Sequence, residues 1–244
     1  MLSLITHRFP FFKKKEIWFY TGEPEKETAY TSYCCVKRNF DRPFENELKE
    51  ITSIIDLTQS EKELFGAIHR TSRYHIRKAE RLEFQFDSFL NPSPEVCRKL
   101  ISSFRVFARF KNIPPMNSGR IMALQKLNHL IITTLTKKNK EILTHVYLFD
   151  EDRVILLHTF HDLSFKDAAV RGAANKYLHW KDILLFKEMN FKVYDFGGIN
   201  PEKVPGITKF KLSFGGKNEQ ANSYTRIAHP YKILFKLFRL IFPG

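Results

Sequence analysis

Arg171-Gly172-Ala173-Ala174, Asp195 and the pair Lys209 and Lys211 carry side chains that together suit the transfer of an acyl group. A helix start holding a glycine binds anions, because its first backbone N–H groups lack helical partners and carry partial positive charge. Arg171 adds a delocalised cation, and Asn175 follows in the same stretch. Asp195 ends the apolar run Phe191-Lys192-Val193-Tyr194 and stands before Gly197 and Gly198. A carboxylate placed there orients an attacking amine or takes its proton. The competing reading is an aspartate that caps its own turn. In Phe210-Lys211-Leu212-Ser213-Phe214 the lysine lies among aromatic side chains, where its ammonium can stabilise an oxyanion or hold phosphate. Lys209 is a second candidate for phosphate. Taken alone, the Arg171 stretch and Lys211 read better as an ordinary loop and a surface lysine, and Asp195 equally well as a turn cap; their order along the chain carries the functional reading.

Other chemistries lack their signatures. There is no Gly-x-Ser-x-Gly elbow and no P-loop. His158, His161 and His179 have no zinc-ligand spacing, so no metal is expected, and His179 beside Trp180 reads as a packed or capping residue.

The elements that must position these groups follow from periodicity and turn chemistry. Strands are expected at 17–20, 28–36 and 51–57, then a long helix capped by Thr58 or Ser60 and running to about residue 81. A strand at 83–89 precedes helices at 95–111 and 120–137. Strands at 142–149 and 153–160 are joined by the acidic turn Asp150-Glu151-Asp152. A helix at 175–190, a strand at 191–196 and a last strand at 217–227 complete the chain. This succession predicts a mixed α/β (α+β) fold, with a central mixed sheet flanked by helices and no evident boundary within it.

Charge points to the partner. Of 244 residues, 40 are Lys or Arg and 26 are Asp or Glu, a net +14, which favours a polyanion: nucleic acid, an anionic membrane face or a phosphorylated substrate. Arg70, Arg73, Arg77 and Arg81 recur at helical steps and form a cationic stripe. Arg73, Arg77 and Lys78, with Tyr194 beside Asp195, are candidate contacts for an acceptor or a nucleic acid. From Pro230 to Phe242, cations and large apolar residues suit a basic amphipathic helix on a membrane surface, on the domain or in a dimer. The three cysteines, Cys34, Cys35 and Cys97, form no disulfide framework. No apolar run is long enough to span a bilayer, so a cytoplasmic protein is expected, with the inner membrane face as a second location.

The stretch from Ile54 to Tyr224 resembles the Fem-type acyltransferases (FemABX and FemAB-like proteins) of the Gcn5-related N-acetyltransferase superfamily. The residues that carry the likeness are Ile55-Asp56-Leu57, Ser72-Arg73-Tyr74-His75-Ile76-Arg77-Lys78-Ala79-Glu80, Asp195-Phe196-Gly197-Gly198-Ile199 and Phe210-Lys211-Leu212-Ser213-Phe214-Gly215-Gly216. The resemblance implies residues 1–50 as a divergent N-terminal part, 51–228 as the acyltransferase domain and 229–244 as the terminal helix. It implies transfer from acyl-CoA or aminoacyl-tRNA to a small-molecule or lipid-linked amine, as in peptidoglycan-precursor metabolism. Lys211 is then the catalytic lysine, and Arg171 to Ala174 fall where the donor pyrophosphate is held. Full Fem proteins carry two tandem copies of the fold and this chain about one. A non-catalytic module that binds RNA or a membrane surface is the alternative reading.

Overall fold

The structure, a computed structural model, describes residues 1–9, 12–20, 22, 30–37, 44, 46–228 and 232–233. The terminal helix expected at 229–244 lies outside these, apart from Lys232 and Ile233. The chain opens with strands β1 (Leu2–Phe9), β2 (Phe12–Trp18), β3 (Tyr30–Val36), β4 (Asn46–Leu48) and β5 (Ile51–Asp56). Helices α1 (Glu61–Ala67) and α2 (Arg70–Glu80), strand β6 (Gln85–Leu90), and helices α3 (Pro94–Lys111) and α4 (Ser118–Lys126) follow. Then come strands β7 (Leu130–Lys137), β8 (Lys140–Asp150) and β9 (Arg153–His161), helix α5 (Ala168–Glu188) and strand β10 (Val193–Ile199). Helix α6 (Pro205–Leu212) and strands β11 (Lys217–Gln220) and β12 (Asn222–Ile227) end the described order.

Two compact units result, Met1–Ile51 with Glu219–Gly244, and Thr52–Asn218. The first holds a five-stranded sheet in the order β1-β2-β3-β12-β4. Period-two burial of Leu2, Leu4 and Thr6 fixes the inner face of β1, and Ile17, Tyr33, Val36 and Tyr224 form a core cluster. The second sheet runs β11-β5-β10-β9-β8-β7-β6. The single strand expected at 217–227 is therefore two strands belonging to different sheets, parted at the buried Ala221.

Helix starts follow their caps. Ser60 and Glu63 form a reciprocal capping box at α1, and Ser93 caps α3 with Pro94 in its first turn. The long helix expected to run to residue 81 breaks at Ile68, whose ψ of 133° is extended, and His69 caps α2. Tertiary structure causes the break: the His69 N–H donates to Ser213 O at 2.8 Å. Close by, Gly215 has φ +78°, and a Cβ there would lie 2.6 Å from Ala67 O. Gly215→Ala is therefore expected to cost more than about 1 kcal/mol, read as a lower urea midpoint at unchanged m. An unchanged midpoint would show that this turn has room to spare.

The helix expected at 120–137 stops at Lys126, and its second half is β7. Leu130 to Leu135 are all buried, because β7 lies between β6 and β8 with both faces covered. A strand buried on both faces loses the alternation that would identify it.

Two features of the second sheet set up the site. Strands β9 and β10 are parallel, yet pair only through Val193–Arg153, Tyr194–Val154 and Asp195–Ile155, although both run on. The β8–β9 register shifts between Val146 and Tyr147, which leaves Leu157 as the extra residue, a bulge that bends β9 next to the parting. Phe160 packs on Phe104 of α3, whereas His145 and Tyr147 reach Asp182 of α5, so α3 and α5 cover opposite faces.

Candidate active site

Asp195 sits at the last position of β10 that pairs with β9 and is fully buried. One carboxylate oxygen accepts from Arg153, with Nε at 3.0 Å and a second guanidinium nitrogen closer still. The other accepts from the Thr52 hydroxyl and, at 2.7 Å, from the Gly197 N–H. Both oxygens are thus engaged by donors. Asp195 thereby ties β10 to β9 and β5 just where the β9–β10 pairing ends.

Beyond it, Gly197 has φ +72°, and a Cβ there would meet Leu156 O at 3.1 Å, so this close approach of the strands requires glycine. Lys211, near the C-terminal end of α6, lies over this stretch. Its Nζ donates to Gly198 O at 2.7 Å and Gly197 O at 3.3 Å. Burial disfavours the ammonium and lowers the Lys211 pKa to about 8, while the Asp195 charge pulls the other way. The structure therefore brings Asp195 and Lys211 together at the parting of β9 and β10. Lys209 is exposed on α6 and lines a separate hollow of about 550 Å³ with His69, Thr208 and Pro205.

Other expected positions change. Helix α5 begins at Ala168 rather than 175, capped by Asp167, whose carboxylate accepts from the Val170 N–H. Gly172, Ala173 and Ala174 thus lie inside the helix, and both alanines are buried in a core cluster with Leu135 and Leu143. The anion-holding amides expected there are corrected: Asp167 already occupies that helix start with a negative charge. Arg171 donates to Phe165 O at 2.9 Å, and Asn175 Oδ1 lies 3.0 Å from His145 Nε2.

Arg73 donates to Gly66 O at 2.6 Å, and the Arg77 guanidinium lies over Phe65, so both steady α1, while Lys78 is exposed. Tyr194 is fully buried, which corrects its expected place on an acceptor surface.

The sequence reading missed Arg153 and Thr52, and also a chain of buried polar groups beneath α6. His179 Nδ1 lies 2.7 Å from Tyr194 Oη, which lies 3.0 Å from Tyr147 Oη. Tyr147 donates to Asp182 Oδ2 at 2.6 Å, and His145 Nδ1 meets the same oxygen at 2.7 Å. Alternation on β8 puts His145 and Tyr147 on one face, and three-residue spacing does the same for His179 and Asp182 on α5, the one signal that pointed to them. Burial and the charges of His145 and Lys211 hold the His179 pKa well below its ordinary value. Burial and the Asp182 charge push both tyrosines well above theirs. His145, His179 and Asp182 offer ligand atoms within 4.8 Å of one another, the donor set of a metal site. Both ring nitrogens of His145 are engaged, Nδ1 by Asp182 and Nε2 by Asn175, and His179 Nδ1 meets Tyr194.

The sequence matches no known protein family, and no curated protein matches it. Solved structures do. FemX aligns over 96% of this chain and 85% of its own, with TM-score 0.66 and 11% identity. The C-terminal domain of a protein named as a lysylphosphatidylglycerol synthetase from Agrobacterium fabrum aligns over 96% and 82%, with TM-score 0.58 and 11% identity. The L-PGS of Bacillus licheniformis aligns over 84% and 71%, with TM-score 0.53 and 12% identity. The chain thus has a FemX-like mixed α/β fold, the fold its resemblance to Fem-type proteins implied. Among the described residues no helix is long and apolar enough to cross a membrane.

Proposed function

We propose that the protein transfers an acyl or aminoacyl group from an activated ester or thioester to an amine, at the parting of β9 and β10. The observation that carries this reading is Lys211: a half-buried ammonium, anchored on the Gly197 and Gly198 carbonyls just past the last β9–β10 pairing. A carbonyl entering the parting would meet that ammonium as attack by the amine turns its oxygen into an oxyanion. A preformed donor in a partly dry site is the main source of rate in such chemistry. The new C–N bond forms as the donor C–O or C–S bond breaks, and the proton lost by nitrogen ends on the departing oxygen or sulfur. Acyl-CoA and aminoacyl-tRNA remain the two donor classes, and a small or lipid-linked amine the acceptor.

The test is amide formation from labelled acyl-CoA and from labelled aminoacyl-tRNA across a panel of amines. Absence of amide with both donors overturns the reading. The pH profile adds a sign. Below pH 8 Lys211 is mostly ammonium, and it loses its charge as pH rises through about 8. Oxyanion stabilisation goes with it, so kcat is expected to show a falling alkaline limb centred near there.

A further inference from the structure

We propose that His179 is a positioning residue for Lys211: the buried chain through Tyr194, Tyr147 and Asp182 holds its ring neutral in the Nδ1–H tautomer, leaving the Nε2 lone pair for the lysine side of the site. The inference rests on the transfer reading only for its catalytic consequence.

Hydrogen bookkeeping assigns the tautomer. The Asp182 carboxylate can only accept, so the 2.6 Å contact uses the Tyr147 hydroxyl hydrogen. The 3.0 Å contact between the tyrosines must then be donated by Tyr194. With that hydrogen used, the 2.7 Å contact from Tyr194 to His179 needs its hydrogen on His179 Nδ1. The opposite tautomer would set two oxygen lone pairs against each other in a fully buried place. The chain therefore runs one way, from His179 to Asp182.

The remaining nitrogen, Nε2, has no hydrogen-bond partner among the described residues. The ring lies against Phe210 and Phe214 at 5.4 and 5.5 Å, the first on α6 and the second just past it, on the segment that carries Lys211. Around His179 stand His145 and Tyr147 from β8, Tyr194 from β10, Asp182 from its own helix and Lys211 from α6. Lys176, one turn earlier on α5, lies over the Phe210 ring. A neutral ring that turns its lone pair toward Lys211 favours the ammonium, whereas a ring turning an N–H that way would oppose it.

The test uses full-length protein labelled with 15N-histidine and 13C-lysine. Two-bond 15N–1H correlation spectra, assigned by the signal lost in His179→Gln, are expected to show His179 protonated at Nδ1 only, from about pH 5.5 to 8. An Nε2–H tautomer, or titration of the ring in that range, overturns the proposal. Tyr194→Phe cuts the chain next to His179, and Tyr147→Phe cuts it one link further on, so one serves if the other fails to fold. In either variant the Lys211 midpoint, read from its 13Cε shift, is expected to fall by about one pH unit, tenfold in its acid constant. An unmoved midpoint in a folded variant also overturns the proposal. These readouts need no turnover, so failure to form amide sinks the transfer reading and leaves the His179 result to stand or fall by itself. Where wild-type protein is active, its alkaline limb is expected to move down with the lysine.

Discussion

Replacing Lys211 by methionine is expected to lower amide formation by about 100- to 1,000-fold while the protein stays folded. Methionine keeps most of the lysine stem and its apolar contacts, so what disappears is the ammonium and its bonds to Gly197 O and Gly198 O. Those bonds are offset by the burial that lowers the lysine to about 8 from 10.5. The unfolded chain holds that proton more tightly than the folded one. The charged lysine therefore opposes folding below about pH 8, and the opposition fades as pH rises toward the unfolded value. Lys211→Met should match or exceed wild-type stability at neutral pH, with the gap closing in alkali, and thermal melts at both ends would show it. The kinetic loss is expected in kcat, because the ammonium meets charge that develops only during transfer. Wild-type turnover in a folded Lys211→Met protein would remove the lysine from the mechanism.

What the sequence disclosed depends on how local each signal is. Helix α3 was legible almost to the residue, because Ser93, Pro94 and the helical period lie within one stretch of chain. The hairpin of β8 and β9 was legible from its acidic turn, where Glu151 has φ 45°. Strand β7 was not, since burial on both faces erases alternation. The return of β12 to the N-terminal sheet was hidden, because its partners lie far upstream, Asn222 opposite Val36 for example. In the site, the motif order placed Asp195 and Lys211 near one another, and Lys211 does lie over the stretch that follows Asp195. Arg153 was not, because it reaches Asp195 only through a parallel pairing across 42 residues. Gly172 misled for a physical reason: a glycine within a helix looks like a helix start, while the cap that set the boundary was Asp167. His179 showed no metal spacing, and its 4.2 Å ring contact with His145 exists only once β8 and α5 are packed.

The second large effect expected is on stability, and it decides what Asp195 does. Asp195→Ala removes the carboxylate that neutralises the nearly buried Arg153 and that accepts from Thr52 and Gly197. Breaking a buried pair by deleting one partner costs about 3–5 kcal/mol, because the attraction between the two charges is lost while the remaining one stays buried. Asp195→Asn should cost less, since an amide oxygen can still take the Gly197 N–H. Arg153→Met combined with Asp195→Leu should cost less than the sum of the two singles, as the pair is then replaced rather than broken. Denaturant titration of the five variants, the two singles of the cycle included, measures this directly. A general base behaves in the opposite way: Asp195→Asn would then reduce turnover by about 100-fold or more at little cost to the fold. With Asp195 saturated by donors and sealed from solvent, the structure leads to the first pattern, a weakened fold whose remaining folded molecules still turn over. Turnover lost in a variant of undiminished stability would return Asp195 to the chemistry and require a path by which an amine could reach it.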